Sequence, residues 1–95
     1  MLESVTVKRT ARRVRFMANV SEAKDVRVTG DFNQWVKEGI ALSHRGDGQW
    51  RTVISLEPGE YQYRLVVDGE WKDHSEATRR VPNSFGTENC VLTVE

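Results

Sequence analysis

From Arg13 to Ala18, the apolar Val14, Phe16 and Ala18 alternate with Arg13, Arg15 and Met17. Val26 and Val28 alternate with Asp25, Arg27 and Thr29, and Trp50, Thr52, Ile54 and Leu56 share one face of a run whose other face is Arg51, Val53 and Ser55. Tyr61, Tyr63, Leu65 and Val67 alternate with Gln62, Arg64 and Val66, and Cys90, Leu92 and Val94 with Val91 and Thr93. A period of two with β-branched and aromatic residues on one side predicts half-buried strands. Turn signals separate them at Gly30-Asp31, Gly46-Asp47-Gly48, Pro58-Gly59, Asp68-Gly69 and Pro82-Asn83. Short antiparallel strands at this spacing predict an all-β, immunoglobulin-like β-sandwich. The patterning spans residues 13–95, which are expected to form one domain. It is weak over residues 1–12, expected to be a flexible N-terminal segment.

One hairpin can be built explicitly. Asp68-Gly69 is a strong signal for a two-residue type I′ turn, and that register sets Val67 opposite Glu70, Val66 opposite Trp71 and Arg64 opposite Asp73. Opposed residues share a face. With Tyr61, Tyr63, Leu65 and Val67 facing the core, Trp71 joins Gln62, Arg64 and Val66 on the other side and is expected to be solvent-accessible. Trp50, which shares a strand face with Ile54 and Leu56, is expected in the core instead. Cys90 alternates with Leu92 and is expected to be a buried small hydrophobe.

Composition narrows the classes. The chain has 95 residues, 38% hydrophobic and 29% charged, with a mean hydropathy of -0.58. No stretch approaches the roughly 20 apolar residues of a membrane helix, and no apolar h-region follows Met1-Leu2-Glu3-Ser4. The single cysteine fits a reducing compartment, so a cytoplasmic protein without membrane contact is expected. Fourteen basic and fourteen acidic residues cancel, leaving no global field for nucleic acid. The local run Lys8, Arg9, Arg12, Arg13 and Arg15 has no interleaved aromatics and reads as a solvated strand edge and terminus. His44 and His74 are far apart, with no cysteine or second histidine at ligand spacing, so neither a metal nor a cofactor is expected. Catalysis needs a nucleophile, base and orienter together, or two carboxylates flanking a bond in a cleft. Asp68 and Asp31 are claimed by their turn and loop, and Glu70 and Asp73 lie on an open sheet. No enzyme is expected.

The segment Gly30-Asp31-Phe32-Asn33-Gln34-Trp35 leaves a strand. Phe32 is expected to tuck into the core, Asn33 to bond local backbone, and Trp35 to stand at the loop's crest. Downstream follow Tyr61-Gln62-Tyr63-Arg64, Val67-Asp68-Gly69-Glu70-Trp71 and Phe85-Gly86-Thr87-Glu88-Asn89. In this order and spacing the elements resemble the family 48 carbohydrate-binding modules. That family includes the glycogen-binding domain of the AMP-activated protein kinase β subunit and the N-terminal domains of isoamylases and branching enzymes. The resemblance covers about Arg13 to Val94. It implies an early-set immunoglobulin-like fold and non-catalytic binding of alpha-1,4-linked glucans: glycogen, starch or maltooligosaccharides. Trp35 and Trp71 match the tryptophans that pack on glucose rings, Arg64 a basic residue that bonds sugar hydroxyls, and Thr87 and Asn89 a polar pair on the last loop. Phe85 matches a position often leucine in the kinase subunits, a change of shape that bears on preferred glucan length or curvature. Alternatives stay open at single residues. Arg64 could pair with Asp73, Asn89 could be an edge-strand residue, and Trp35 could fold onto the sandwich edge. For the whole chain the alternatives are a protein–protein interaction or scaffold module, or an accessory domain partnered with a glycogen-metabolising enzyme or kinase complex.

Overall fold

The structure is a computed structural model, and it describes residues 10–95. Of the predicted N-terminal segment, residues 1–9 lie outside the described residues, as do Lys8 and Arg9 of the basic run. The elements are β1 (Arg12–Asn19), β2 (Val26–Gly30), one 3-10 turn (Asp31–Asn33), β3 (Ile40–Ala41), β4 (Ser43–Gly46), β5 (Gln49–Leu56), β6 (Gly59–Val67), β7 (Glu70–Lys72), β8 (Arg80–Pro82) and β9 (Glu88–Val94). They form two antiparallel sheets. The smaller runs β1-β5-β4, and the larger runs β3-β2-β6-β9-β8 with β7 also on β6. Among the described residues no helix is long and apolar enough to cross a membrane.

The two sheets pack as an antiparallel β-sandwich of the expected immunoglobulin-like kind, and strand parity decides what they bury. Phe16, Ala18, Trp50, Ile54 and Leu56 point inward from the smaller sheet, and Val26, Val28, Tyr63, Leu65, Cys90 and Val94 from the larger. Phe16 meets Tyr63 edge-on, with centroids 5.1 Å apart at 87°. Trp50 is 6% exposed and its Nε1 donates to the Val20 carbonyl at 3.1 Å, satisfying the indole's one polar atom. Cys90 is wholly buried, as its parity predicts. Phe32 and Tyr61, both expected in the core, are half-buried against its rim, with rings 6.3 Å apart.

The hairpin register is the predicted one near the turn: Asp68 and Gly69 have φ of 50° and 82°, and Val67 pairs with Glu70 and Val66 with Trp71. Farther along, the prediction fails. Pairing with β7 stops at Leu65–Lys72, because β9 occupies the same edge of β6 up to Tyr63–Cys90. Asp73 therefore turns away from Arg64 and binds Arg80 through both oxygens, at 3.1 and 3.0 Å. That guanidinium holds the Asp73 carboxyl below the usual carboxylate range.

A second departure concerns the outer face of the larger sheet. Thr29 and Val66 point that way yet are 0% and 2% exposed. The loop after β2 folds back over Thr29, and Val66 lies opposite Trp71 of β7. The Thr29 hydroxyl lies 2.7 Å from the Val36 carbonyl and 2.9 Å from Asn33 Oδ1. Asn33 Oδ1 also accepts from the Gly30 N–H at 2.9 Å, the local role expected of it. Gly30 is needed here: a Cβ would come within 2.2 Å of the Gln62 carbonyl.

One buried polar cluster joins the sheets. His74 Nδ1 lies 2.6 Å from the Tyr63 hydroxyl, and Nε2 is 3.0 Å from Glu76, whose carboxylate also accepts from the Asn19 N–H of β1 at 3.1 Å. Burial keeps the phenol protonated by raising its pKa. Burial also lowers the pKa of His74 below 6.5, with Glu76 opposing. The native state then binds fewer protons than the unfolded chain, so stability is complete above about pH 6.5 and declines as pH falls below it. The urea midpoint is expected to fall between about pH 7.5 and about 5.5, and His74→Gln to flatten that dependence. A midpoint that rises over this range would contradict the buried neutral imidazole.

Candidate functional site

On the outer face of the larger sheet, β6 presents Gln62 and Arg64, β7 presents Trp71 and β9 presents Asn89. The loop after β2 brings Trp35 from one side. The loop joining β8 to β9 brings Phe85 and Thr87 from the other. The six residues singled out in the sequence, Trp35, Arg64, Trp71, Phe85, Thr87 and Asn89, all line one groove of about 630 Å³. Asp31, Gln62, Asn83 and Ser84 complete its wall.

The apolar part is a pair of indoles. Trp35 and Trp71 have centroids 6.4 Å apart and planes inclined at 40°. Trp71 is 41% exposed and Trp35 is half-buried. Gln34 and Trp35 both have positive φ, 57° and 59°, a conformation that costs non-glycine residues about 1–3 kcal/mol each and gathers at functional sites. The backbone N–H of Trp35 donates to the Gly30 carbonyl at 3.0 Å. Its Nε1 donates to Asp31 Oδ1 at 2.9 Å, and Asp31 Oδ2 accepts from the Gln62 N–H at 2.7 Å. Phe85 stands apart on the opposite rim, 87% exposed.

The polar rim is already connected. Arg64 Nη1 donates to Thr87 Oγ1 at 3.0 Å, so Arg64 takes this partner instead of Asp73, while its Nε is buried without a hydrogen-bond partner among the described residues. Asn83 organises the last loop. Its Oδ1 accepts from the Phe85 and Thr87 N–H groups at 2.9 and 3.2 Å. Its Nδ2 donates to Thr87 Oγ1 at 2.8 Å and Asn89 Oδ1 at 2.9 Å. Asn89 Nδ2 passes the chain of bonds to Gln62 Oε1 at 3.0 Å. Because β8 lies outside β9, Asn89 is not on an edge strand.

The groove suits a ligand with apolar faces and a hydroxylated rim. Indole faces cover C–H patches and exclude water, while Arg, Asn, Gln and Thr supply donors and acceptors of both signs. Among the described residues Asp31 is the one carboxylate lining it, and its oxygens accept from Trp35 Nε1 and the Gln62 N–H. Among the described residues no three His, Cys, Asp or Glu side chains are grouped to hold a metal ion. Strand parity set Gln62 on this face, but the sequence did not single it out as part of the site. Asn83 carried only a turn signal, and Asp31 only a loop role.

Residues 14–95 match the family described as the glycogen recognition site of AMP-activated protein kinase. Over 81 residues the chain is 31% identical to the chloroplastic phosphoglucan phosphatase LSF1 of Arabidopsis thaliana, covering 85% of this chain and 14% of that protein. Over 72 residues it is 33% identical to 5'-AMP-activated protein kinase subunit beta-1 of Sus scrofa, covering 76% of this chain and 56% of that one. The Bos taurus subunit is 35% identical over 72 residues, 25% of its length. The chain thus spans between 14% and 56% of these relatives.

Proposed function

The chain belongs to the family of carbohydrate-binding modules that includes the glycogen recognition site of AMP-activated protein kinase, and from that membership we propose that its groove binds alpha-1,4-linked glucan without transforming it. The observation that carries this reading is the indole pair inclined at 40° above a polar rim. Alpha-linked glucose chains curve, so two platforms set at an angle meet successive rings that a flat strip would miss. Trp35 and Trp71 cover ring faces, Phe85 adds an apolar contact, and Arg64, Thr87 and Asn89 bond hydroxyls. Exposed hydrogen bonds contribute only about 0.5–1.5 kcal/mol each, which sets dissociation constants at about micromolar to millimolar. The kinase-subunit and phosphatase relatives favour an accessory role, in which the module holds a larger protein's activity on a glucan.

Titration with maltoheptaose, followed by tryptophan fluorescence, is expected to shift the emission, while cellohexaose does not. Arg13→Gln with Arg15→Gln, on β1 of the other sheet, is expected to bind as the unsubstituted chain does. A protein-docking reading draws on Met17 and Val53, 48% and 47% exposed, which share a concavity with Arg15, Arg45 and Arg51 on the smaller sheet. Equal or absent responses to both sugars would sink the glucan reading and favour docking.

A further inference from the structure

The angle between the indoles is held by one side chain. Trp35 sits on a loop, and its ring is joined to that loop only through two rotatable bonds. Strand β2 ends at the Gly30–Tyr63 pair, so the next residue, Asp31, leaves the ladder where it would have faced Gln62. Its side chain takes over: Oδ2 accepts the Gln62 N–H at 2.7 Å as a backbone carbonyl of a longer β2 would have done. The other oxygen accepts from the indole Nε1 at 2.9 Å. One carboxylate therefore ties the ring of Trp35 to the backbone of β6, two residues from Arg64. On the far side of Gln62, its Oε1 is bonded by Asn89. Charge-assisted bonds of this kind are short and directional, and a ring fixed before binding loses little freedom when the ligand arrives.

We propose that Asp31 is a specificity-determining positioning residue, which fixes the inclination of Trp35 to Trp71 and so selects glucan segments long and curved enough to lie across both rings. This rests on the glucan reading above. A short sugar stacked on a single indole does not sense the angle between two. A curved chain of several rings does, and it loses the match when Trp35 is free to rotate. The Nε1 proton is also engaged within the protein, so Trp35 offers the ligand its face and not its donor.

The test compares maltoheptaose with maltose on the unsubstituted chain, Asp31→Ala and Asp31→Asn. It adds far-ultraviolet circular dichroism of the ligand-free proteins, where two close indoles in fixed orientation give a coupled signal. Asp31→Ala is expected to weaken maltoheptaose about tenfold or more while changing maltose by about twofold or less, and to lose the coupled signal. Asp31→Asn, which keeps one acceptor oxygen, is expected to fall between and keeps the comparison available if the alanine variant folds poorly. In a Trp35→Phe background, whose ring cannot donate, Asp31→Ala is expected to add little, because the two residues act as one unit. Equal loss for both sugars, an unchanged ratio, or full additivity with Trp35→Phe would overturn the assignment of Asp31 alone. Failure of the unsubstituted chain to bind either sugar would overturn the glucan reading, and this selection with it.

Discussion

Trp50→Ala is expected to cost about 3–5 kcal/mol of folding stability, a large part of the about 5–15 kcal/mol that holds a domain together. The indole is 6% exposed between the two sheets and in register with Ala18 on β1 and His44 on β4, with the His44 ring 4.8 Å away. Its removal leaves a cavity bounded by two strands that cannot collapse without leaving their ladders, and it orphans the Val20 carbonyl that Nε1 serves. Equilibrium urea unfolding measures the loss. A cost below about 1 kcal/mol, the range of surface substitutions, would mean that the core does not depend on this ring. Glucan affinity of the remaining folded fraction is expected to be unchanged, since no atom of Trp50 lines the groove.

Trp71→Ala is the same chemical change on the opposite face, and its effects are expected to be reversed. At 41% exposure on the three-residue strand β7, the side chain contributes little to the core, so about 1 kcal/mol or less of stability should be lost. Part of that loss comes from Val66, which is paired with Trp71 and buried at 2%. Maltoheptaose affinity is expected to fall by about tenfold or more, the equivalent of about 1.4 kcal/mol, because one of two stacking platforms is gone. The measurement is the sugar titration beside urea unfolding of the same sample. Should Trp71→Ala unfold the domain while Trp50→Ala stays folded but fails to bind, the facing of both strands would be reversed and the site assignment would fail.

The contrast between these two tryptophans is legible in the sequence, because a strand's side-chain period is two and a two-residue turn fixes which residues oppose. Such rules are local, and they reach as far as the ladder does. They carried Val66–Trp71 correctly and failed at Arg64–Asp73, where β9 claims the edge of β6. The burial of Thr29 and Val66 was not legible. For Thr29 it depends on a loop folding back onto a sheet's outer face, held by Thr29 bonds to residues four and seven positions away. The same holds for the groove's polar wiring. Arg64 and Thr87 are 23 residues apart, Asp31 and Gln62 31 apart, and no periodicity announces a side chain that stands in for a missing strand residue. Motif order brought the six candidate residues to notice. What joins them, Asp31, Gln62 and Asn83, shows only in three dimensions.

Cys90, the chain's one cysteine, is wholly enclosed, and burial raises its thiol pKa further from reactivity. An alkylating reagent can reach that sulfur only when the sandwich comes apart, so the rate of labelling counts excursions out of the native state. A ligand that occupies the groove of the folded chain alone makes those excursions rarer by a factor of 1 + [L]/Kd. The thiol is thus a chemical clock set inside the fold. It can time the capture of a sugar in variants that have lost the tryptophan whose fluorescence would otherwise report it.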